Sequence, residues 1–348
     1  MDQWQLDLSL TLDDSGVAKE ADEEGRGADV PNRGELHVHI NGAIPASKIR
    51  EILADEATVL PAGFEFERDL IRAKPCQSLA EYLRCWQVFR LFPRKRENLD
   101  YLTLAVVASL AENNVRFVEL RSSVLYLAAL QKCSPAQALE RLIESTGEAA
   151  QRHGIRRGLI LTVTRGDYSA VSLSTLLQAY QDLGEPREVI GLDLAGDEEM
   201  AYPTELPSLF RDAKDRFGLG ITIHAGETGR VENVRTAVEL FGADRIGHGT
   251  AAGKDPGLLE LLSAKGICVE VCPISNRLTG AVPANEAHPL QQFRRYGVPF
   301  VICSDNPAIH QHGLADDQAA AMAEGLSIGD MRQQYELAKR YSFMKDLT

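Results

Sequence analysis

From Glu35 onward the chain repeats one beat, a short run rich in β-branched residues followed by a longer stretch with apolar residues at helical spacing. Strict alternation of this kind makes the strands parallel, because each return to the sheet needs a crossover, and such crossovers are right-handed. The runs fall at residues 35–40, 115–121, 157–163, 189–195, 220–224, 245–248, 268–272 and 299–304. Helical patterns between them include 101–113, 135–152, 206–217, 231–241, 256–265 and 289–296. Eight such units favour closure over an open sheet, so the expected fold is α/β, a single (β/α)8 TIM barrel. The stretch 46–92 after the first strand is too long for a plain βα connection and reads as a helical lid insertion over the barrel mouth.

Residues 1–33 stand outside the beat. An alternating stretch at 4–12 reads as an edge strand, and the acidic, glycine-containing run 13–29 as a flexible tether. The expected organisation is an N-terminal extension over 1–33 and one barrel domain over 34–348; barrels commonly run this long as one unit. The formal net charge is −13, and the only dense basic cluster is Arg94-Lys95-Arg96, so no stripe follows a nucleic-acid backbone. No segment approaches the roughly 18 consecutive apolar residues of a membrane span, and the acidic start lacks the features of a secretory signal. The expectation is a cytoplasmic protein without nucleic-acid or membrane partners, acting on a small molecule, with homo-oligomerisation left open. Cys76, Cys85, Cys133, Cys268, Cys272 and Cys303 lack framework spacing and read as packing thiols.

In a barrel of this type chemistry sits where strands end at the carboxyl face. The first strand ends in His37-Val38-His39, and residues two apart on a strand point to the same side, so both imidazoles enter the barrel together. The fifth strand ends in His224-Ala225-Gly226-Glu227, the sixth at His248, and the eighth at Asp305. A single strand histidine is ordinarily a hydrogen-bonded core residue, and Asp305 before Asn306-Pro307 could be a simple turn or cap. Their coincidence at four strand ends is what carries the reading. Three imidazoles and a carboxylate suit zinc or a similar divalent ion, which lowers the pKa of a bound water from about 15.7 to about 7. His310 and His312 read as surface-loop residues, and His153 and His288 are given no functional role.

These segments resemble the adenosine and adenine deaminase family of metal-dependent hydrolases, in the amidohydrolase superfamily. The likeness runs from about Arg33 to the carboxyl end. It is carried by Glu35-Leu36-His37-Val38-His39-Ile40-Asn41-Gly42-Ala43-Ile44, Phe117-Val118-Glu119-Leu120-Arg121 and Asp193-Leu194-Ala195-Gly196-Asp197-Glu198. It continues through His224-Ala225-Gly226-Glu227, Arg245-Ile246-Gly247-His248-Gly249-Thr250, Cys272-Pro273-Ile274-Ser275-Asn276 and Ser304-Asp305-Asn306-Pro307. The resemblance implies one zinc per subunit, held by His37, His39, His224 and Asp305. It implies that Glu227 protonates the ring nitrogen beside the attacked carbon, and that His248, with Asp305, orients or deprotonates the attacking water. Gly196 would face the purine, and residues 82–92 would close over it.

Two positions depart from the family pattern. Asn41 stands where most members have an Asp that contacts the sugar, as in the branch acting on N6-substituted AMP, where a carboxylate would repel phosphate. Asn306 stands where the family has a second Asp that bonds a purine ring nitrogen; an amide can donate to that nitrogen without needing a proton of its own. The expected function is zinc-dependent hydrolytic deamination of an aminopurine: adenosine, adenine or an N6-substituted AMP type nucleotide. Two alternatives stay open: hydrolysis of a non-purine ring amine, pterin or cyclic amidine on the same scaffold, and a non-catalytic metal-binding scaffold protein. Lys74, Arg90, Arg94 or Lys95 could supply a phosphate pocket, although charges of this kind are more often a solvated helix face.

Overall fold

A computed structural model describes residues 31–347. The edge strand expected over 4–12 and the tether expected over 13–29 lie outside that range. Eight parallel strands run in sequence order: β1 (Arg33–His39), β2 (Val115–Ser122), β3 (Arg156–Thr164), β4 (Val189–Ala195), β5 (Gly220–Ala225), β6 (Arg245–His248), β7 (Cys268–Val271) and β8 (Phe300–Ile302). β1 and β8 meet through one parallel bridge between Val38 and Asp305. His39 N–H donates to the Asp305 carbonyl (3.0 Å), and Asp305 N–H donates to the His37 carbonyl (2.9 Å). The sheet is therefore a barrel, as the beat predicts. Its strands are covered on both faces, so burial along them is nearly continuous rather than alternating.

Local sequence sets where the helices begin and end. Pro135–His153 opens on a capping box in which Ser134 and Gln137 satisfy each other's backbone N–H groups, and it closes on Gly154 in the left-handed region. Pro256–Lys265 is capped by Asp255, which accepts from Gly257 and Leu258. The helix expected over 101–113 starts earlier and spans Arg96–Glu112; Arg96 pairs with Asp100 (3.1 Å) and with Glu144 of the neighbouring helix (3.1 Å). The insertion after β1 is broken into short pieces, Ala46–Asp55, Phe66–Asp69, Leu79–Tyr82, a 3-10 turn Leu83–Cys85, and Trp86–Phe89. Its last pieces lie over the carboxyl ends of the strands, where Leu79, Tyr82, Trp86 and Phe89 line a cavity.

The opposite end is plugged by the C-terminal segment. Ser342 and Phe343 donate to the Glu119 carboxylate (2.6 Å each), and the Arg245 guanidinium lies 3.7 Å from the Phe343 ring centre. A Cβ on Gly220 would meet that ring at 2.4 Å, so only glycine lets β5 start there. Inside the barrel, Glu119, Arg245, Glu270, Arg121 and Asp193 form a continuous buried chain of alternating charge. All six cysteines are free thiols, five of them buried. Among the described residues no helix is long and apolar enough to cross a membrane.

Candidate active site

The strand ends bring all the expected ionisable residues together. His37, His39, His224, Glu227, His248 and Asp305 are all buried around one point. His39 Nε2 lies 3.1 Å from His224 Nε2 and 3.5 Å from Asp305 Oδ1, and His37 Nε2 lies 3.6 Å from the same oxygen. One ligand atom from each of His37, His224, His248 and Asp305 falls within 4.8 Å of the others. By spacing alone either His39 or His248 could complete a set with the remaining three.

Carboxylates back two of these rings. His37 Nδ1 is 2.8 Å from Glu270 Oε2, and His224 Nδ1 is 2.8 Å from Asp193 Oδ1. A carboxylate only accepts, so each ring carries its hydrogen on Nδ1 and turns the Nε2 lone pair to the centre. Burial works against the charge on Asp193, but His224 and Arg121 outweigh it and hold the carboxyl below its ordinary range. Burial likewise opposes ionisation of Glu270, and Arg121 with Arg245 outweighs it. His37 Nε2 is fully buried and has no hydrogen-bond partner. An orphaned lone pair facing other Nε2 atoms and a carboxylate is unfavourable unless a cation sits among them, and this donor set fits a divalent metal.

Glu227 follows β5 and is held by Glu198, whose carboxylate accepts from the N–H groups of Gly226 (2.9 Å) and Glu227 (2.7 Å). Burial first, then Glu198 and Asp305, pushes the Glu227 carboxyl well above its ordinary value, with Arg165 opposing. A protonated Glu227 is thus favoured, and its Oε2 lies 3.6 Å from His248 Nε2. His248 and Asp305 are both non-glycine residues in the left-handed region, with φ of 65° and 59°. Such backbone costs about 1–3 kcal/mol per residue and persists where surrounding structure holds it. Asp305 is held by Ser275, which donates to its Oδ2 at 2.6 Å.

Asn41, Gly196 and Asn306 all line the cavity, of about 300 Å³. The Asn41 amide donates to the Phe89 carbonyl (3.1 Å), tying the end of β1 to the lid. Gly196 has φ of 98° and presents bare backbone. Asn306 Nδ2 donates both to Asp305 Oδ1 (2.6 Å) and to Tyr82 Oη (3.3 Å), so a ring nitrogen would compete with Tyr82 for the second hydrogen. Of the basic residues weighed for a phosphate, Arg90 lines the cavity; Arg94 is tied to Glu56 and Lys95 to Asp55 (2.7 Å).

Glu270 and Asp317 escaped the sequence reading, and Ser275 and Asn276 entered it only as part of a motif, without a role. Glu270, Ser275, Asn276 and Asp317 act behind the strand ends; the Asp317 carboxylate accepts from Ile274 N–H (2.9 Å) and so anchors the helix Pro273–Leu278 that carries Ser275 and Asn276. His310 is buried, not a surface-loop residue. Its Nε2 meets Tyr82 Oη at 2.7 Å, because the chain after β8 turns back under the lid. His312 is exposed beside Asp316, as expected of a loop. His288, given no role, is buried against Asn276. The one signal for Ser275 and Asn276 was the motif Cys272-Pro273-Ile274-Ser275-Asn276 that follows the seventh strand.

Comparison with known proteins agrees with this geometry. The family model described as adenosine deaminase matches residues 32–347. An adenosine deaminase of Clostridium botulinum is 30% identical over 319 residues, covering 90% of this chain and 93% of that protein. Among solved structures, an amidohydrolase from Burkhoderia ambifaria with bound Zn has a TM-score of 0.81 at 21% identity, over 91% of this chain and 87% of that one. The Arabidopsis N6-mAMP deaminase has a TM-score of 0.78 at 22% identity, over 91% and 95%. At these identities the two structures speak for the shared fold, whereas the family match spans nearly the whole described chain. The chain belongs to the adenosine deaminase family and is a hydrolase acting on carbon–nitrogen bonds.

Proposed function

We propose that the protein is a zinc-dependent hydrolytic deaminase of an aminopurine, whether free base, nucleoside or N6-substituted nucleotide. The observation that carries the reading is the pairing of a buried lone-pair cluster with a buried carboxyl favoured in its protonated form. His37, His39, His224 and Asp305 would hold the ion. When bound there, zinc would make hydroxide available near neutral pH by lowering the pKa of a water molecule to about 7.

The remaining work falls to the chain. Glu227 delivers its proton to the ring nitrogen beside the amino-bearing carbon, which draws electron density from that carbon and opens it to attack. His248 orients or deprotonates the attacking water, and Asp305 accepts a hydrogen bond from it. Collapse of the tetrahedral adduct forms a new ring carbonyl: the C–N bond breaks, the adduct hydroxyl gives its proton to the departing nitrogen, which leaves as ammonia or an amine, and the ring nitrogen keeps the proton from Glu227. Gly196 lets the ring approach the backbone closely, and the apolar lid around Trp86 and Phe89 excludes water. The zinc-bound relative structure and the adenosine deaminase match both support this reading.

The experiment incubates zinc-loaded protein with adenosine, AMP, N6-methyl-AMP, adenine and a pterin, with Glu227→Gln as control, and measures ammonia or amine release. Turnover of one purine that disappears in the control supports the reading and names the substrate. Turnover of the pterin alone, or of nothing while metal stays bound, overturns it.

A further inference from the structure

The three rings at the centre of the cluster are not held alike, and the difference begins at a backbone amide outside the site. Leu290 N–H can only donate, and it donates to His288 Nδ1 at 3.3 Å. Burial pulls the His288 pKa down to about 3, so the ring is neutral and its single hydrogen sits on Nε2. That nitrogen lies 3.2 Å from Asn276 Oδ1 and donates to it. With its oxygen so engaged, the Asn276 amide turns Nδ2 to His248 Nδ1 at 3.0 Å. An amide N–H donates, so His248 Nδ1 accepts, and the hydrogen of that ring must sit on Nε2. His248 Nε2 faces Glu227 Oε2 at 3.6 Å.

His37 and His224 show the reverse order, since carboxylates back their Nδ1 atoms. Two rings are thereby prepared to offer lone pairs and one to offer a hydrogen. A ring whose Nδ1 already accepts cannot also give its Nε2 lone pair without losing both hydrogens.

We propose that His288 is a positioning residue that acts through Asn276 to fix His248 as an Nε2–H donor facing the reaction centre. The proposal rests on the reading of the site as a metal-dependent deaminase centre. It selects, within that reading, between orienting and deprotonating roles for His248: the ring holds the attacking oxygen by donating to it and does not take its proton in this state. It agrees with a metal set completed by His39 and not by His248.

The test reads hydrogens directly. The full chain is labelled with nitrogen-15 at histidine, and long-range proton–nitrogen correlation spectra are recorded before and after zinc loading. The expected result is Nε2–H with bare Nδ1 on both His248 and His288, and the opposite tautomer on His37 and His224. A hydrogen on His248 Nδ1, in either state, overturns the proposal. His288→Leu should let His248 average between tautomers and lower kcat by about tenfold, with KM changed less than about twofold, in line with supporting residues elsewhere. His288→Gln, whose amide can still donate to Asn276 Oδ1, should restore the single tautomer and most of kcat. Wild-type kcat in His288→Leu, with the tautomer of His248 unchanged, would also overturn it. The spectra need no turnover: the expected tautomers in a protein that deaminates no purine would fault the function and leave the relay standing, while the wrong tautomer in an active enzyme would do the reverse.

Discussion

The wall and the lid of the cavity are built on opposite principles. On the wall, charge is answered by charge: Glu270 meets Arg121, Arg245, Thr222 and His37, and Asp193 meets Arg121 and His224. The lid meets the cavity with short helical pieces and mostly apolar side chains, Leu79, Leu83, Trp86 and Phe89, and the Tyr82 hydroxyl links it to Asn306 and His310. A low-dielectric network of ion pairs and hydrogen bonds holds direction strongly and tolerates little change. Dispersion contacts lack direction and allow shifts. Under the proposed function, the contrast would place chemistry on the wall and substrate choice on the lid.

Changes on the wall should be costly and specific. Glu227→Gln should lower kcat for the favoured purine by about 10²–10⁴-fold, the range of a lost proton donor, while the melting temperature holds. An equal loss of melting temperature would mean that Glu227 is structural. Glu270→Leu leaves two buried guanidinium groups short of a partner and should cost about 3–5 kcal/mol in urea unfolding. Asp193→Asn should weaken zinc binding by about 10–100-fold, measured by competition with a chelator, because the His224 tautomer is no longer enforced.

Acid should find the buried neutral histidines. Burial lowers the His310 pKa to about 4, below its ordinary value of 6.5. Between those values the unfolded chain binds a proton that the folded chain does not, so stability is full above about 6.5 and falls as the pH drops toward 4. His310→Gln should flatten that part of the stability profile; an unchanged slope would count against the burial argument. The smallest effect is expected on the lid: Tyr82→Phe removes two hydrogen bonds and should move KM by about fivefold with kcat nearly unchanged. An equal fall in kcat would erase the distinction between wall and lid.

The barrel and its strand-end chemistry were legible because period and position are local properties of a chain. The strand ends at His37-Val38-His39 and His248 could be read from alternation alone, within a residue or two. What stayed hidden depends on contacts distant in sequence. Glu270 looks like an ordinary charge within a short strand until folding brings Arg121 and Arg245 to it. His310 resembled a loop residue because nothing adjacent to it announces Tyr82, which lies far back along the chain. Arg94 and Lys95 looked free for a phosphate because Asp55 and Glu56, which hold them, lie about forty residues back, at the end of the helix Ala46–Asp55.

The bridge between Val38 and Asp305 joins the last strand to the first, and Asp305 makes it with its main chain. Its carboxylate points elsewhere, to Ser275 and the cluster. Architecture and reactivity therefore occupy separate atoms of one residue, and an engineer can address them separately. Asp305→Ala would strip the carboxylate while both seam amides remain. Deuterium uptake at the His39 and Asp305 amides would then report whether the ring of strands stays shut after its chemistry has been removed.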